Sequence, residues 1–180
     1  MNEVRDPLKE YDISFSGLKP GKHQFIYKID KEFFELFNYD EILGGEIEVI
    51  LDFVKKSNLL ELIFFTKGEL QVACDVSNEP YFEHIENDFE IVVKFGPEFN
   101  NDDEDLLILP FDEHKLNVAQ YIFELIVLAL PKKRVHPGVL DGTLKSEIVD
   151  KLKELQPKKQ KEEIDPRWAE LKKLITNKKT

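Results

Sequence analysis

The stretch "GGEIEVILDFVKKSNLLELIFF", Gly44 to Phe65, decides the fold class. Ile47, Val49, Leu51 and Phe53 share one parity, while Glu46, Glu48 and Asp52 occupy the other, the alternation by which a strand buries one face and wets its opposite. The run "LLELIFF", then "TKG", then "ELQVACDV" reads as a hairpin closed near Gly68, with Leu70, Val72 and Cys74 on the buried parity of its second arm. Outward from there the alternation recurs in "DFEIVVKFGPE" through Phe89, Ile91, Val93 and Phe95, in the short run "DLLILP", and upstream in "KHQFIYKID". These patterns predict an α+β chain: a mainly antiparallel sheet or small barrel, with a buried helix and short helices toward the C-terminus.

Helical spacing appears at a few places. "DKEFFELFNY" is amphipathic. In "NVAQYIFELIVLALP", Asn117 can cap with Gln120 three residues on, and Pro131 ends the helix. Tyr121 to Leu130 is almost wholly apolar, which predicts burial on most sides, and Glu124, its one charge, is expected to reach solvent or a donor. "TLKSEIVDKLKEL" puts Leu144, Ile148, Leu152 and Leu155 on one face of a short helix. "QPKKQKEEI" has no apolar period and reads as a flexible linker. In "DPRWAELKKLI", Asp165 is a good N-cap and Pro166 a good first residue, and Trp168, Leu171, Leu174 and Ile175 form an apolar face.

Composition bounds the class. In 180 residues, 42% apolar and 11% aromatic, one sizeable core is affordable, burying about 70% of the unfolded chain's surface. The start "MNEVRDPLKEYDISF" has no signal-like apolar run, and "YIFELIVLAL" is far shorter than a bilayer span, so a soluble cytoplasmic protein without membrane partner is expected. One cysteine excludes an intramolecular disulfide framework. The net charge of −11 is uneven: residues 1–131 hold 11 Lys/Arg against 28 Asp/Glu, and residues 132–180 hold 14 against 8. An acidic body with a basic end repels nucleic acid over most of its surface and tolerates it at one place, unless the basic end is only a solvated tail.

The corner "CDVSNEPY" looks suited to a Cys-x-x-Cys pair, but Ser77 holds the second position. A tetrahedral zinc site needs four ligands, and Cys74 is joined only by His23, His84, His114 and His136, which show no ligand spacing. Cys74 is therefore expected to be a small buried hydrophobe, with Asp75, Ser77 and Asn78 holding the corner through side-chain to backbone hydrogen bonds. No metal or other cofactor is expected. His84 near Glu83 and Glu86, or His114 beside Asp112 and Glu113, are sequence neighbours rather than acid/base pairs, and neither "FGPEF" nor "LGGEIE" has the spacing of a phosphate-cradling loop. The sequence predicts no enzyme.

Four segments in order, "CDVSNEPY", "FEIVVKFGPE", "ELIVLALPKKRVHP" and "DPRWAELKKL", together resemble the YceD-like family, bacterial proteins of the large ribosomal RNA subunit accumulation class. The resemblance runs from about Asp12 to Ile175. Many relatives carry Cys-x-x-Cys at the corner followed by an acidic residue and Pro; here Cys74, Glu79 and Pro80 keep that pattern. It implies a cytoplasmic, non-enzymatic role in accumulation of large-subunit (23S) ribosomal RNA. The organisation expected is one α+β domain over 1–156, a basic linker over 157–164 and a terminal helix over 165–180.

Two readings follow. In the first, a ribosome-biogenesis factor contacts large-subunit ribosomal RNA or a pre-ribosomal particle through Lys132, Lys133, Arg134 and His136, with Arg167, Lys172 and Lys173 on the last helix. Lys and Arg neutralise phosphates, and Trp168 either stacks on an unpaired base or anchors its helix on apolar surface. In the second, an acidic adaptor holds a basic ribosomal protein on the sheet surface around Glu46 and Glu48.

Overall fold

The computed structural model describes residues 6–103 and 105–155. The strands are β1 (Asp12–Ile13), β2 (Gly21–Ile29), β3 (Ile42–Lys55), β4 (Leu59–Ala73), β5 (Pro80–Gly96), β6 (Asn100–Asp103), β7 (Leu106–Pro110) and β8 (Leu116–Asn117); the helices are α1 (Lys31–Leu36), α2 (Ala119–Ala129), α3 (Pro137–Leu140) and α4 (Glu147–Leu155). Six strands form one sheet in the order β2-β3-β4-β5-β7-β6, and β1 pairs with β8 separately. The fold is α+β. The sheet is open, so the barrel alternative falls: β2 and β6 are its two edges and do not meet. All pairs in it are antiparallel except β5 with β7, because the chain turns back along β6 at the edge before β7 fills the place beside β5.

The alternation read from β3 sets the layers. Ile47, Val49, Leu51 and Phe53 are fully buried beneath α1 and α2, with Leu62, Phe64 and Leu70 from β4 and Ile91 and Val93 from β5 beside them. Phe37 stacks on Phe123 with ring centroids 4.3 Å apart, locking the segment after α1 to α2. Asp30 caps α1, its carboxylate accepting from the amides of Glu32 and Phe33. The Lys55 ammonium donates to the carbonyls of Phe15 (2.7 Å) and Leu18 (2.8 Å), so the N-terminal segment closes one end of the sheet.

The expected hairpin at Gly68 does not exist. β4 runs unbroken through it, with Gly68 opposite Ile47 on β3 and Ile85 on β5. Glycine is needed there for close approach: a Cβ would lie 2.2 Å from the Glu46 carbonyl oxygen, and one on Gly45, at φ +109°, would lie 2.3 Å from that of Glu69. The turns fall instead at Lys56–Asn58 and at the Cys74–Glu79 corner.

Asn117 accepts the Ala119 amide at 3.0 Å, but the N-cap position of α2 falls on Val118, which makes no side-chain cap bond, and Gln120 bonds forward to Glu124 at 2.6 Å rather than back toward Asn117. Glu124 reaches solvent as expected. The helix is covered on most sides, yet one stripe, Gln120, Glu124 and Leu128, stays open, and Leu128 is 80% exposed. α4 departs further from expectation: it buries Val149, while Ile148, Leu152 and Leu155 remain exposed. The linker 157–164 and the terminal helix 165–180 lie outside the described residues.

Candidate nucleic-acid interface

α2 ends at Ala129, and Pro131 directs the chain across the hairpin corner between β4 and β5. That corner is built on Cys74. Its amide donates to the Glu79 carbonyl at 2.9 Å, its carbonyl accepts from Asn78 at 2.8 Å, and Asn78 takes the left-handed conformation at φ +60° that Asn tolerates best after Gly. The buried sulfur accepts three amide hydrogens, from Val76 (3.4 Å), Ser77 (3.5 Å) and His136 (3.2 Å). Burial pushes this thiol up, but those amides and the Ser77 hydroxyl outweigh it and bring its pKa down to about 7.

The third amide belongs to the basic loop, which is fastened to the corner along its length. Asp75 donates its amide to the Arg134 carbonyl at 2.8 Å and accepts the Arg134 amide on its carboxylate at 2.7 Å. The Arg134 guanidinium, partly buried, lies 2.8 Å from Glu41 and 3.7 Å from Asp75. Burial alone depresses its pKa, and the two carboxylates more than reverse that and keep it charged. His136 caps α3: Nδ1 accepts the Gly138 amide at 2.8 Å, which fixes the hydrogen on Nε2, and its ring meets Tyr81 edge-on. The Tyr81 hydroxyl donates to Glu83 at 2.7 Å.

The four predicted loop residues are thus brought together with two different roles. Lys132 and Lys133 are exposed and form no ion pair with the described residues. Arg134 and His136 face the corner and hold the loop in place. Arg167, Trp168, Lys172 and Lys173 lie outside the described residues. Sequence reasoning missed Glu41, Asp75 and Tyr81 as the loop's partners; they are distant in the chain, and no local pattern marks a carboxylate that will meet an arginine 59 or 93 positions away.

Among the described residues no group of three or more His, Cys, Asp or Glu is arranged to hold a metal ion. At the corner itself, the sulfur is surrounded by amides, and Ser77 stands in the second thiol position, so the residues present do not fit zinc. His84 lies 3.8 Å from Glu86, and both side chains are more than half exposed. No helix among the described residues is long and apolar enough to cross a membrane.

The longest hairpin of the open α+β sheet thus carries a fastened basic loop at its corner. Residues 64–175, which include most of that hairpin, α2 and the loop, match the family described as Large ribosomal RNA subunit accumulation protein YceD, and the chain belongs to this family. No curated protein and no solved structure gives a match.

Proposed function

We propose that this chain is a non-enzymatic ribosome-biogenesis factor of the cytoplasm that supports accumulation of large-subunit (23S) ribosomal RNA by contacting that RNA or a precursor particle. The observation that carries the reading is the loop: in a strongly acidic body, Lys132 and Lys133 stand exposed, with no ion pair among the described residues, on a segment fixed at Cys74, Asp75 and Glu41. A fixed loop binds phosphates without first losing the entropy of ordering itself. Arg134 and His136 serve by holding that geometry. Arg167, Lys172 and Lys173 would add phosphate contacts from the terminal segment, and Trp168 a stacking surface or an apolar anchor. No cofactor takes part. The test is ultraviolet crosslinking of the tagged full chain in cells, followed by sequencing of the attached RNA. Enrichment of large-subunit ribosomal RNA supports the reading, and its absence refutes RNA contact.

A second reading, an adaptor for a basic ribosomal protein, is favoured by one observation. Glu46 and Glu69 sit directly opposite each other on adjacent strands, both exposed and with no ion pair among the described residues. Like charges in register destabilise a sheet unless a cation covers them. Charge reversal at Glu46 and Glu48 should then abolish capture of a basic large-subunit protein while leaving RNA crosslinking intact.

A further inference from the structure

A groove runs beside α2 on the side of the sheet opposite Glu46 and Glu48. Its first part, a cavity of about 540 Å³ between α2 and β7, has an apolar floor of Leu107, Leu109, Leu116 and Tyr121. It adjoins a second of about 380 Å³ that shares Asn101, Tyr121 and Glu124 and continues past Phe89 to Leu128. Apolar side chains stand open along it, Phe99 at 62% and Leu128 at 80% exposure. The open stripe of α2, Gln120, Glu124 and Leu128, forms one wall, and the far wall is β6, an edge strand whose outer side pairs with no other strand of the sheet.

The charge of the rim selects the occupant. Asp102, Asp103, Glu113 and Glu124 line it and make no ion pair with the described residues. Among the described lining residues Lys115 is the one cation, and it is already taken by Asp12 at 2.7 Å. Nucleic acid is repelled by such a rim, and an uncharged apolar segment would leave the carboxylates uncompensated. We propose that this groove is a docking site for a lysine- or arginine-rich protein segment that inserts an aromatic or leucine anchor against Tyr121 and Leu109. Carboxylates at the rim meet the cations, and the apolar floor supplies the burial that makes such a contact more than a diffuse attraction. The site goes beyond the RNA reading, since it uses none of the loop residues, and differs from the adaptor face in position and in having an apolar floor.

The test titrates the full chain, isotopically labelled for amide spectra, with a synthetic lysine-rich peptide carrying one tryptophan and two leucines. Two controls replace the apolar residues by serine or the lysines by glutamate. The expected result is saturable binding of the first peptide only, with shifts at Phe99, Leu107 and Tyr121. Glu124→Lys and, separately, Leu128→Ser, both at exposed positions that leave the core intact, should each weaken it about tenfold, whereas Lys132→Ala should not change it. The proposal is overturned if the serine control binds equally, if both groove variants bind as the parent does, or if the shifts map elsewhere. It is also overturned if the groove is occupied already, by residues 156–180 of the same chain or by a second copy. Crosslinking of Glu124 in the free protein reports the first, and sedimentation the second.

Discussion

At the scale of single residues, Cys74 carries the most information. Its burial was legible from parity with Leu70 and Val72, and the structure leaves it 2% exposed. Its hydrogen bonds were not legible, because one of the three amides comes from His136, 62 positions away. That geometry has a consequence in pH. The thiol starts from an ordinary value of 9.0, burial raises it, and the amides bring it to about 7. The folded state therefore binds the thiolate better than the unfolded chain does, so this group's stabilisation grows as pH rises through 7, is fully present above 9, and is lost as pH falls through 7. Cys74→Ser keeps a hydrogen-bonding atom but loses volume and the ionised form. It should fold, at a cost of about 1–2 kcal/mol near neutral pH. The gap in thermal midpoint between parent and variant should widen from pH 7 to pH 9. A gap that stays constant across that range would show that the corner does not favour the thiolate.

Among the elements, β4 shows where sequence reading stops and why. "TKG" has the composition of a turn, and a hairpin there was the natural expectation. The competing signal was present: Phe64, Thr66, Gly68 and Leu70 keep one parity straight through the segment, and Thr66 is buried with its hydroxyl donating to the Asn87 carbonyl at 2.9 Å. Composition favours a turn and periodicity a strand, and the close approach of β3 that makes glycine necessary is a tertiary fact. Gly68→Ala must push β3 from β4 and should cost about 1–3 kcal/mol. Gly17→Ala, whose Cβ would meet nothing within 4 Å, should stay within about 0.5 kcal/mol. Equal denaturation midpoints for the two variants would contradict this account of β4. The short helices were legible in place but not in packing, since the face read for α4 is the exposed one. Among the described residues the core is built from the strands, α1, α2 and the N-terminal segment with Tyr11 and Phe15. A chain lacking residues 157–180 should keep cooperative melting; its loss would place Trp168 in the core.

Over the whole molecule, charge organises what the fold can do. The contrast between an acidic body and a basic end was visible in the sequence, as was the ordered set of motifs that assigns the family over residues 64–175. What the sequence could not separate were the two kinds of cation in "KKRVHP". Arg134 is used by Glu41 and Asp75, which leaves Lys132 and Lys133 facing solvent. The groove beside α2 was equally hidden, since its walls come from β6, β7 and α2 and no single segment signals it. Phosphate contacts release counterions, so affinity for RNA through the loop must depend on salt in proportion to the lysines engaged. The decisive measurement is the affinity of the full chain for a large-subunit ribosomal RNA fragment across a salt series, for the parent and for a Lys132→Ala, Lys133→Ala double variant. The parent should show log affinity falling linearly with log salt, and the variant a slope flatter by roughly 0.7 to 0.9 for each lysine removed. A variant with the parent's slope and affinity would contradict RNA contact at the loop.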